Sequence, residues 1–362
     1  MIQLIRQLLG AARQMVYLVQ HPAYSRSYYP EEATKSRMGV CKDLVTWLLK
    51  YRDVNTFYFF YGLDRKQGTM RPQHVMPYKL FREIRDRRNQ CLPGAPGYNY
   101  ICLLRDKFVF SQVVSSLGFS TPRNLAILDA DTITWIGRPE KHPLRTLFDP
   151  AAPALDVFCK NMTGQGGADV YPLRVDGGKI YVQSREVTAD AFRRSLKGQY
   201  LLQERIRQHP DLSALHPHSI NAIRLVTFNT GGEVKAFWAA LKVGTGGKSV
   251  DNVACGGVAV RIDLATGRLQ GDAMYLPGRG GKICRHPDTG VRFDGYQIPH
   301  FGQAVAMALD LHRYLYGIHS IGWDIAISEN GPTFIEGNDD WAGHFAMAFV
   351  PEFKQKFLEM YN

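Results

Sequence analysis

The segment from His319 to Asn338 constrains the fold most, because its pattern is that of two paired strands. Strands are predicted at Ile321–Ser328 and Thr333–Asn338, and Asn330-Gly331 supplies residues typical of a tight turn between them. Strands joined by so short a connection pair with each other, so polar side chains on a shared face come close together.

The length of the turn decides whether three polar residues, Asp324, Glu336 and Asn338, share one face of the hairpin. A two-residue loop at Asn330-Gly331 would place Asp324 on the face opposite to the other two. A three-residue loop, Glu329–Gly331 with its glycine left-handed, places all three on one face, because side chains alternate along a strand. We expect the three-residue loop, with Asp324 across from Glu336.

Two carboxylates and an amide oxygen on one face would offer the oxygen ligands that Mg²⁺ prefers in proteins. The alternative interpretation is a polar hairpin face in contact with solvent. The three residues by themselves leave both interpretations open, and patterns elsewhere in the sequence are needed to choose between them.

The length, net charge and cysteine content of the chain limit the classes of protein to which it can belong. A chain of 362 residues is too long for one simple core and predicts two or three lobes. Lysine and arginine number 44 against 33 aspartate and glutamate, a net charge of +11, which favours anionic ligands. The six cysteines form no CxxC pair, which argues against a disulfide framework and fits a reducing, cytoplasmic compartment. The sequence contains no recognisable nucleic-acid-binding module, so no nucleic-acid partner is expected.

The N-terminal part, residues 1–98, is predicted to be helical and basic. Apolar residues recur at helical spacing over residues 1–20, but Arg6 and Arg13 interrupt them, so no uninterrupted run could span a bilayer. We expect an amphipathic helix docked on the body of the protein. Peripheral association with the inner face of a membrane through residues 1–20 is the alternative. Turn-forming residues at 91–97 mark the end of this region.

From about residue 100 helices and strands alternate, which predicts an α+β fold. One lobe is placed at residues 99–202 and a second at residues 203–362. A helix is predicted at Asp106–Leu117, closed by Gly118. The clearest strands are expected at Asn124–Leu128, Leu155–Asn161, Tyr200–Glu204, Ala222–Asn229, Val234–Val243 and Val258–Asp263.

Several short patterns carry residues suited to binding a nucleotide, although each is weak in isolation. Lys160 ends a buried strand before a glycine-rich segment, where backbone N–H groups can approach phosphate oxygens. Lys107 begins a helix, and Gln203-Glu204 ends a strand that can face an adenine edge. Arg224 lies in an alternating strand, where its guanidinium can hold a phosphate or carboxylate with two hydrogen bonds.

Nucleophilic and zinc-dependent schemes find less support in the sequence. No GxSxG pattern is present, and neither Cys159 nor Cys255 has a histidine nearby in the sequence. His216 and His218 occur in HPHS and are interpreted as loop residues rather than metal ligands.

Taken in order, these patterns resemble the ATP-grasp superfamily over roughly residues 100–345. The series runs through Asp106-Lys107, Gly118 to Pro122, FCKNMTGQGGADV, LLQERI, NAIRLV and GWDIAI to FIEGN. The blocks HPHSINAIRLVTF, VDNVACGG and GWDIAISENGPTFIEGN are most similar to the sugar-transfer-associated branch, which is related to glutamate ligases. The resemblance implies an ATP-grasp fold, two α+β lobes with ATP between their sheets, and it favours the Mg²⁺ interpretation of the hairpin.

The resemblance also implies which residues bind ATP. Lys107 and Lys160 would contact its phosphates. A mobile loop over the phosphates would contain Gly164, Gln165, Gly166 and Gly167. The strand facing adenine would contain Gln203, Glu204, Arg205 and Ile206, with Glu204 the best candidate for an adenine contact. Asp211 is the nearest candidate for a ribose contact.

On the same resemblance, Asp324, Glu336 and Asn338 match the Mg²⁺ ligands of the family. Many members carry an arginine two residues before the first metal-binding aspartate, where this chain has Gly322. The catalytic positive charge is therefore expected from another residue, and the candidates are Arg224, Lys242 and Arg261.

The function implied by the resemblance is that of an ATP-dependent carboxylate–amine ligase acting through an acylphosphate. Phosphoryl transfer needs charge neutralisation and alignment rather than a protein nucleophile, which agrees with the absence of a nucleophilic motif. The expected partners are a small-molecule or oligosaccharide carboxylate and an amine, with an acidic sugar of a surface polysaccharide as the carboxylate. A kinase that phosphorylates a hydroxyl and a nucleotide-binding scaffold without catalysis are the alternatives.

Overall fold

The computed structural model describes residues 2–90, 99–164 and 170–361, with side chains from residue 9 onward. The described residues form two antiparallel sheets flanked by helices, and a mainly helical region precedes them. The predicted α+β fold class is confirmed. The turn-rich boundary predicted at residues 91–97 lies outside the described residues.

The helices of the described chain are, in order, α1 (Ile2–Gln20), α2 (Arg37–Tyr51), α3 (Tyr78–Gln90), α4 (Cys102–Arg105), α5 (Lys107–Ser116), α6 (Ala189–Ser195), α7 (Pro210–Leu215), α8 (Phe301–Tyr314), α9 (His344–Phe349) and α10 (Phe353–Glu359). Among these described helices, none is both long enough and apolar enough to cross a membrane.

Helix α1 is joined to the body of the protein through Gln14. The Gln14 amide donates to Asp53 at 2.8 Å and its oxygen accepts from the backbone N–H of Val54 at 3.0 Å. Apolar side chains elsewhere on the helix, such as Val16 and Val19, stay exposed. The alternative of membrane association through residues 1–20 stays a prediction.

The first sheet belongs to the lobe that follows. Its strands are β1 (Asn124–Leu128), β2 (Thr132–Trp135), β3 (Lys141–Pro143), β4 (Leu155–Asn161), β5 (Val170–Asp176), β6 (Lys179–Val182), β7 (Arg185–Val187) and β8 (Tyr200–Glu204), in the order β3-β2-β1-β8-β4-β5-β6-β7. Buried and half-buried side chains alternate along β1, as expected of a strand with one face on a core. Phe192 of α6 packs against that core.

The second sheet contains β9 (Ile223–Asn229), β10 (Val234–Val243), β11 (Val258–Ile262), β12 (Leu269–Met274), β13 (Lys282–Ile283), β14 (Ser320–Ser328) and β15 (Gly331–Asn338), in the order β13-β12-β11-β10-β9-β14-β15. Its middle strands have different neighbours on their two faces. Leu225 and Trp323 point into a core shared with α8, whereas Arg224 and Asp324 are on the opposite face, because side chains alternate along a strand.

The N-terminal region packs on part of that opposite face. An aromatic-rich core joins Trp47 and Phe81 to Val226, Trp238 and the C-terminal helices α9 and α10. The second sheet is therefore covered on both faces, and only a portion of the face that carries Arg224 and Asp324 is left for a ligand.

The hairpin β14–β15 has a shorter turn than predicted. Ser328 pairs with Gly331, so the connection is the two residues Glu329-Asn330, and the predicted three-residue loop is wrong. Asp324 nevertheless pairs with Glu336, as predicted, because a β-bulge between the turn and this pair adds one residue to β15. Gly331 has the expected positive φ, +108°.

The predicted lobe bounds can be compared with where the elements pack. Strand β8 ends at Glu204 within the first sheet, so the boundary placed at 202/203 falls inside a strand. Helix α5, although ahead of the first sheet in the chain, packs through Phe110 on Phe334 of the second sheet. The lobe bounds themselves stay a prediction.

One buried amide connects the N-terminal region to the hairpin, which allows a test of this packing. Asn89 accepts from the Ser320 N–H at 2.9 Å and donates to the carbonyls of Ser320 at 2.9 Å and Asp339 at 2.7 Å. Asn89→Ala leaves these buried groups unpaired, so we expect a loss of about 2–4 kcal/mol in the free energy of unfolding. Urea denaturation measures this loss, and the exposed neighbour Gln90→Ala is the control. Equal effects of the two substitutions would contradict the assigned role.

Candidate active site

A cavity of about 600 Å³ lies between the two sheets. Side chains from β4 and β8 of the first sheet line it on one side, and side chains from β9, β10, β14 and β15 of the second sheet line it on the other. The charged residues in its described lining are Lys107, Lys160, Glu204, Arg224, Lys242, Asp251, Asp324, Glu336 and Asp340. The cavity is therefore a charged cleft between two lobes.

Asp324 is the most strongly paired group in the cavity. Arg224 pairs directly with Asp324 in the β9–β14 register, so the two side chains share a face. Arg224 donates from Nε to Oδ1 at 2.7 Å and from a terminal nitrogen to Oδ2 at 3.0 Å, and Lys242 donates to Oδ2 at 3.1 Å. Burial raises the pKa of Asp324, but the charges of Arg224 and Lys242 outweigh it and hold that pKa well below its ordinary value.

Gly322 leaves room for this arginine. A side chain at position 322 would begin with a Cβ only 2.5 Å from Cβ of Trp341, so glycine is required by close packing. The same Cβ position is 3.6 Å from Cδ of Arg224. The side chain of Arg224, on the neighbouring strand, thus lies next to Gly322, the position at which many family members carry an arginine.

Lys242 is shared between two carboxylates. Its Nζ lies 3.1 Å from Asp324 and 3.6 Å from Asp251, and both acids are largely buried. Asp251 also accepts from the backbone N–H of Ala222 at 3.0 Å. Burial lowers the pKa of Lys242, but the two carboxylates reverse that effect and raise it above the ordinary value.

Glu336 and Asn338 follow the bulge on β15 and line the cavity beside Asp324. Burial, and then the negative charge of Asp324, raise the pKa of Glu336. The side-chain nitrogen of Asn338 donates to the Gly322 carbonyl at 3.1 Å, so the side-chain oxygen takes no part in that hydrogen bond. Two acids and an amide oxygen therefore converge, and the positive charges of Lys242 and Lys107 only partly offset the burial and repulsion that raise the pKa of Glu336.

Lys160 and Lys107 supply the opposite charge from the other side of the cleft. Lys160, on β4, is 8% exposed, and burial lowers its pKa to about 8. Asp106 caps α5 by accepting from the N–H groups of Phe108 and Val109, which fixes Lys107 at the first turn. Burial also lowers the pKa of Lys107, whose ammonium donates to the carbonyl of Gly164. Neither lysine forms an ion pair with any carboxylate that the structure describes.

Residues 93–355, well over half of the chain, match the family described as sugar-transfer associated ATP-grasp. The chain belongs to this family. The resemblance predicted from the sequence is therefore confirmed. No curated protein matches the sequence.

Solved structures similar to this ATP-grasp chain are ligases and synthetases of low identity. N5-carboxyaminoimidazole ribonucleotide synthetase from Thermotoga maritima is 12% identical, with a TM-score of 0.38, over 80% of this chain and 56% of its own. D-alanine-D-alanine ligase from Coxiella burnetii is 9% identical, with a TM-score of 0.39, over 72% of this chain and 58% of its own. The corresponding ligase from Helicobacter pylori is 10% identical, with a TM-score of 0.39, over 71% and 57%. This chain spans a little over half the length of these three proteins.

ATP-grasp proteins use ATP and typically Mg²⁺, and the residues present fit both groups. Lys160 is a buried cation and Lys107 a half-buried one, and neither forms an ion pair with a described carboxylate, which suits a polyphosphate. Glu336, whose pKa is raised beside Asp324, suits a divalent cation, because a cation would relieve the repulsion between the two acids.

Only some of the residues predicted to face adenine line the cavity. Glu204 and Ile206 line the cavity. Gln203 is buried in the first lobe and donates to Asn124 at 2.8 Å, and Arg205 pairs with Asp156 at 2.8 Å. Glu204 is paired with Arg123. Glu204 and Ile206 are therefore the two residues of this strand placed to meet a ligand.

Two other predicted residues, Asp211 and Arg261, lie outside the lining of the cavity. Asp211 is exposed on α7 and does not line the cavity. Arg261 lies two residues beyond Ala259 on β11, on the same face, but is outside the lining. Of the predicted mobile loop, Gly164 is described and accepts from Lys107, whereas Gln165, Gly166 and Gly167 lie outside the described residues.

Sequence reasoning missed Asp251 as the second partner of Lys242. The segment VDNVACGG was recognised only as a glycine-containing loop, and nothing in its local pattern indicates an ion pair with a strand nine residues earlier. The aromatic wall formed by Trp238, Trp341 and Phe345 was missed as well, because their spacing is also that of core residues.

The lowered pKa of Lys160 predicts a pH dependence of stability. Between about pH 8 and 10.5 the folded protein binds fewer protons at this group than the unfolded chain, so stability rises with pH through that window. Below pH 8 the full cost of burying the charge is present, on the order of 3 kcal/mol. Lys160→Met removes this cost.

We expect Lys160→Met to unfold at higher urea concentration than the wild type at pH 7, and the difference to shrink as the pH rises from 8 to 10. Lys197→Met, at an exposed lysine of the same lobe, is the control, because its side chain is not buried on folding. A Lys160→Met difference that stays constant from pH 7 to 10 would show that the ammonium is not penalised by burial.

Proposed function

We propose that the protein is an ATP-dependent ligase that activates a carboxylate as an acylphosphate and joins it to an amine. The observation that carries this proposal is the opposition of charges across one cavity. Lys107 and Lys160 present positive charge from one side, and Asp324, Glu336 and Asn338 present oxygen ligands from the other. A polyphosphate together with a divalent cation satisfies both sides at once.

Each group in the cleft then has a proposed role. Lys107 and Lys160 hold the phosphates of ATP. Asp324, Glu336 and Asn338 hold Mg²⁺, which neutralises charge on those phosphates.

Arg224 and Lys242 are the cations that contact Asp324, so they are placed to stabilise negative charge on the transferring phosphoryl group. Arg261, the third candidate, does not line the cavity and has no proposed role.

The described lining of the cavity lacks the groups of a nucleophilic enzyme. It contains no histidine and no cysteine, and Ser249 is its one hydroxyl-bearing residue. In the proposed reaction the substrate carboxylate itself attacks the γ-phosphorus and ADP leaves. The amine nitrogen then attacks the acyl carbon and phosphate leaves, so no protein nucleophile is required.

The length of the cavity leaves room for a second substrate beside the nucleotide. Its lining extends across the second sheet from Glu336 on β15 to Ala259 on β11, four strand spacings or about 19 Å. Glu204 and Ile206 line the cavity from the side of the first lobe. We place the carboxylate substrate toward β11, where Trp238 and Leu276 form an aromatic and apolar wall.

We propose an acidic sugar of a surface polysaccharide or its precursor as the carboxylate substrate. The association of the family with sugar transfer supports this choice. So does the net charge of +11, which favours an acidic substrate.

A coupled assay of ADP release, with ATP, Mg²⁺ and a panel of uronic acids and uronate oligosaccharides, tests the proposal. We expect turnover to require both a carboxylate and an amine, and the product to contain a new amide bond detectable by mass spectrometry. Amine-independent turnover that gives a stable phosphorylated hydroxyl would instead identify a kinase. No phosphate transfer with any acidic substrate would favour a non-catalytic scaffold.

Glu336→Gln separates a role in metal binding from a structural role. The substitution keeps the shape of the side chain but removes the charge, so we expect turnover to fall about 100-fold or more, equivalent to at least about 2.7 kcal/mol. The melting temperature should not fall, because the removed charge is one that Asp324 repels. Glu329→Gln, in the exposed turn of the same hairpin, is the matched control. A parallel loss of turnover and thermal stability would contradict the metal-binding role.

A further inference from the structure

A second polar cluster lies outside the cavity, where the loop after α7 meets the segment after β13. One potential ligand atom from each of His216, His286 and Asp288 lies within 4.8 Å of the other two. Both histidines are buried, at 0% and 1% exposed, and none of the three residues lines the cavity between the sheets. The proposed ligase reaction uses none of them.

The hydrogen bonds of the two histidines fix their tautomers in the same way. Nε2 of His216 lies 3.0 Å from the carbonyl of Lys248, and Nε2 of His286 lies 2.8 Å from the carbonyl of Gly244. A carbonyl only accepts, so each Nε2 carries a hydrogen, and in the neutral ring Nδ1 then keeps a lone pair. Metal-binding histidines are oriented by this kind of contact between the second ring nitrogen and a carbonyl.

Nδ1 of His216 is buried and has no hydrogen-bond partner among the described residues. An unpaired buried polar atom costs free energy, so its presence calls for a ligand. Nδ1 of His286 accepts only from the backbone N–H of Asp288 at 3.2 Å, a long contact that a stronger ligand can replace.

Asp288 completes the cluster with a carboxylate that is itself held in place. Its Oδ2 accepts from the N–H of Gly246 at 2.7 Å and lies 3.5 Å from Nδ1 of His216. Two ligands on a tetrahedral Zn²⁺ with bonds of about 2.1 Å are about 3.4 Å apart, so this pair already has the spacing of a metal site.

We propose that His216, His286 and Asp288 bind one divalent transition-metal ion of the Zn²⁺ class. Two imidazoles and one carboxylate are a common ligand set for this ion, with water in the fourth position. His218, whose ring lies 5.6 Å from that of His216, is exposed and is not a ligand. The loop interpretation of HPHS therefore holds for His218 but not for His216, whose partners follow about 70 residues later in the chain.

The metal would organise the loop that leads into the cavity. The three contacts described above hold Gly244, Gly246 and Lys248, and the chain then continues through Ser249 to Asp251, which pairs with Lys242. The ion is thus a structural one, which fixes the segment that carries a cavity carboxylate without contacting the substrates itself.

Titration with Co²⁺ tests the site in the full-length, tag-free protein after chelator treatment. Excess Mg²⁺ is present to occupy oxygen-ligand sites such as that of Asp324 and Glu336, because nitrogen ligands favour Co²⁺ over Mg²⁺. We expect one equivalent of Co²⁺ to produce the intense visible absorption of a tetrahedral complex, and one equivalent of Zn²⁺ to abolish it. Absence of stoichiometric, intensely coloured binding would overturn the proposal.

Variants assign the ligands. Asp288→Asn keeps the shape of a half-exposed side chain, so the protein should fold, and the affinity for Co²⁺ should fall at least about tenfold. His286→Gln should abolish the visible absorption, and the control His218→Gln should leave both affinity and absorption unchanged. If Asp288→Asn binds as the wild type does, or if His218→Gln loses the absorption, the assigned ligand set is wrong.

Discussion

The ion pair between Asp324 and Arg224 is the interaction on which the rest of the site depends. Arg224 lies on β9 and Asp324 on its neighbour β14, two interior strands of the second sheet, where an unpaired buried charge would cost several kcal/mol. Arg224 and Lys242 neutralise Asp324, and Asp251 balances Lys242 in turn. The four groups are therefore interdependent, because the loss of one leaves a buried charge on another.

The charges on the remaining walls of the cavity are not balanced in this way. Lys160 is a buried cation, Lys107 is a half-buried one, and Glu336 is an acid held beside another acid. Each arrangement costs free energy in the ligand-free protein, and each cost is removed by a ligand of opposite charge. The electrostatic gain on binding a ligand of opposite charge is thus concentrated where the two sheets face each other.

Sequence patterns predicted the strands and the family correctly, but they did not predict which residues from distant segments of the chain contact each other. Strands with regular apolar patterns, such as Leu155–Asn161 and Val234–Val243, have the predicted bounds. The predicted length of the hairpin turn was wrong, because the bulge on β15 changes the strand register and nothing in the local amino-acid composition indicates a bulge. The choice between Arg224 and Arg261 depends on which strand neighbours β14, and the pairing of Asp251 with Lys242 depends on how a loop folds back. Neither the neighbour of β14 nor the pairing of Asp251 with Lys242 can be predicted from the spacing of residues along the chain.

The bulge on β15 also has a consequence for how the cavity surface is composed. In a regular strand two consecutive residues point to opposite faces, but Ile335 and Glu336 both line the cavity. An aliphatic side chain and an acidic one are therefore placed next to each other on the same surface, separated by a single peptide bond. The boundary between an apolar and an ionic part of the cavity surface is therefore fixed by the covalent chain at this point.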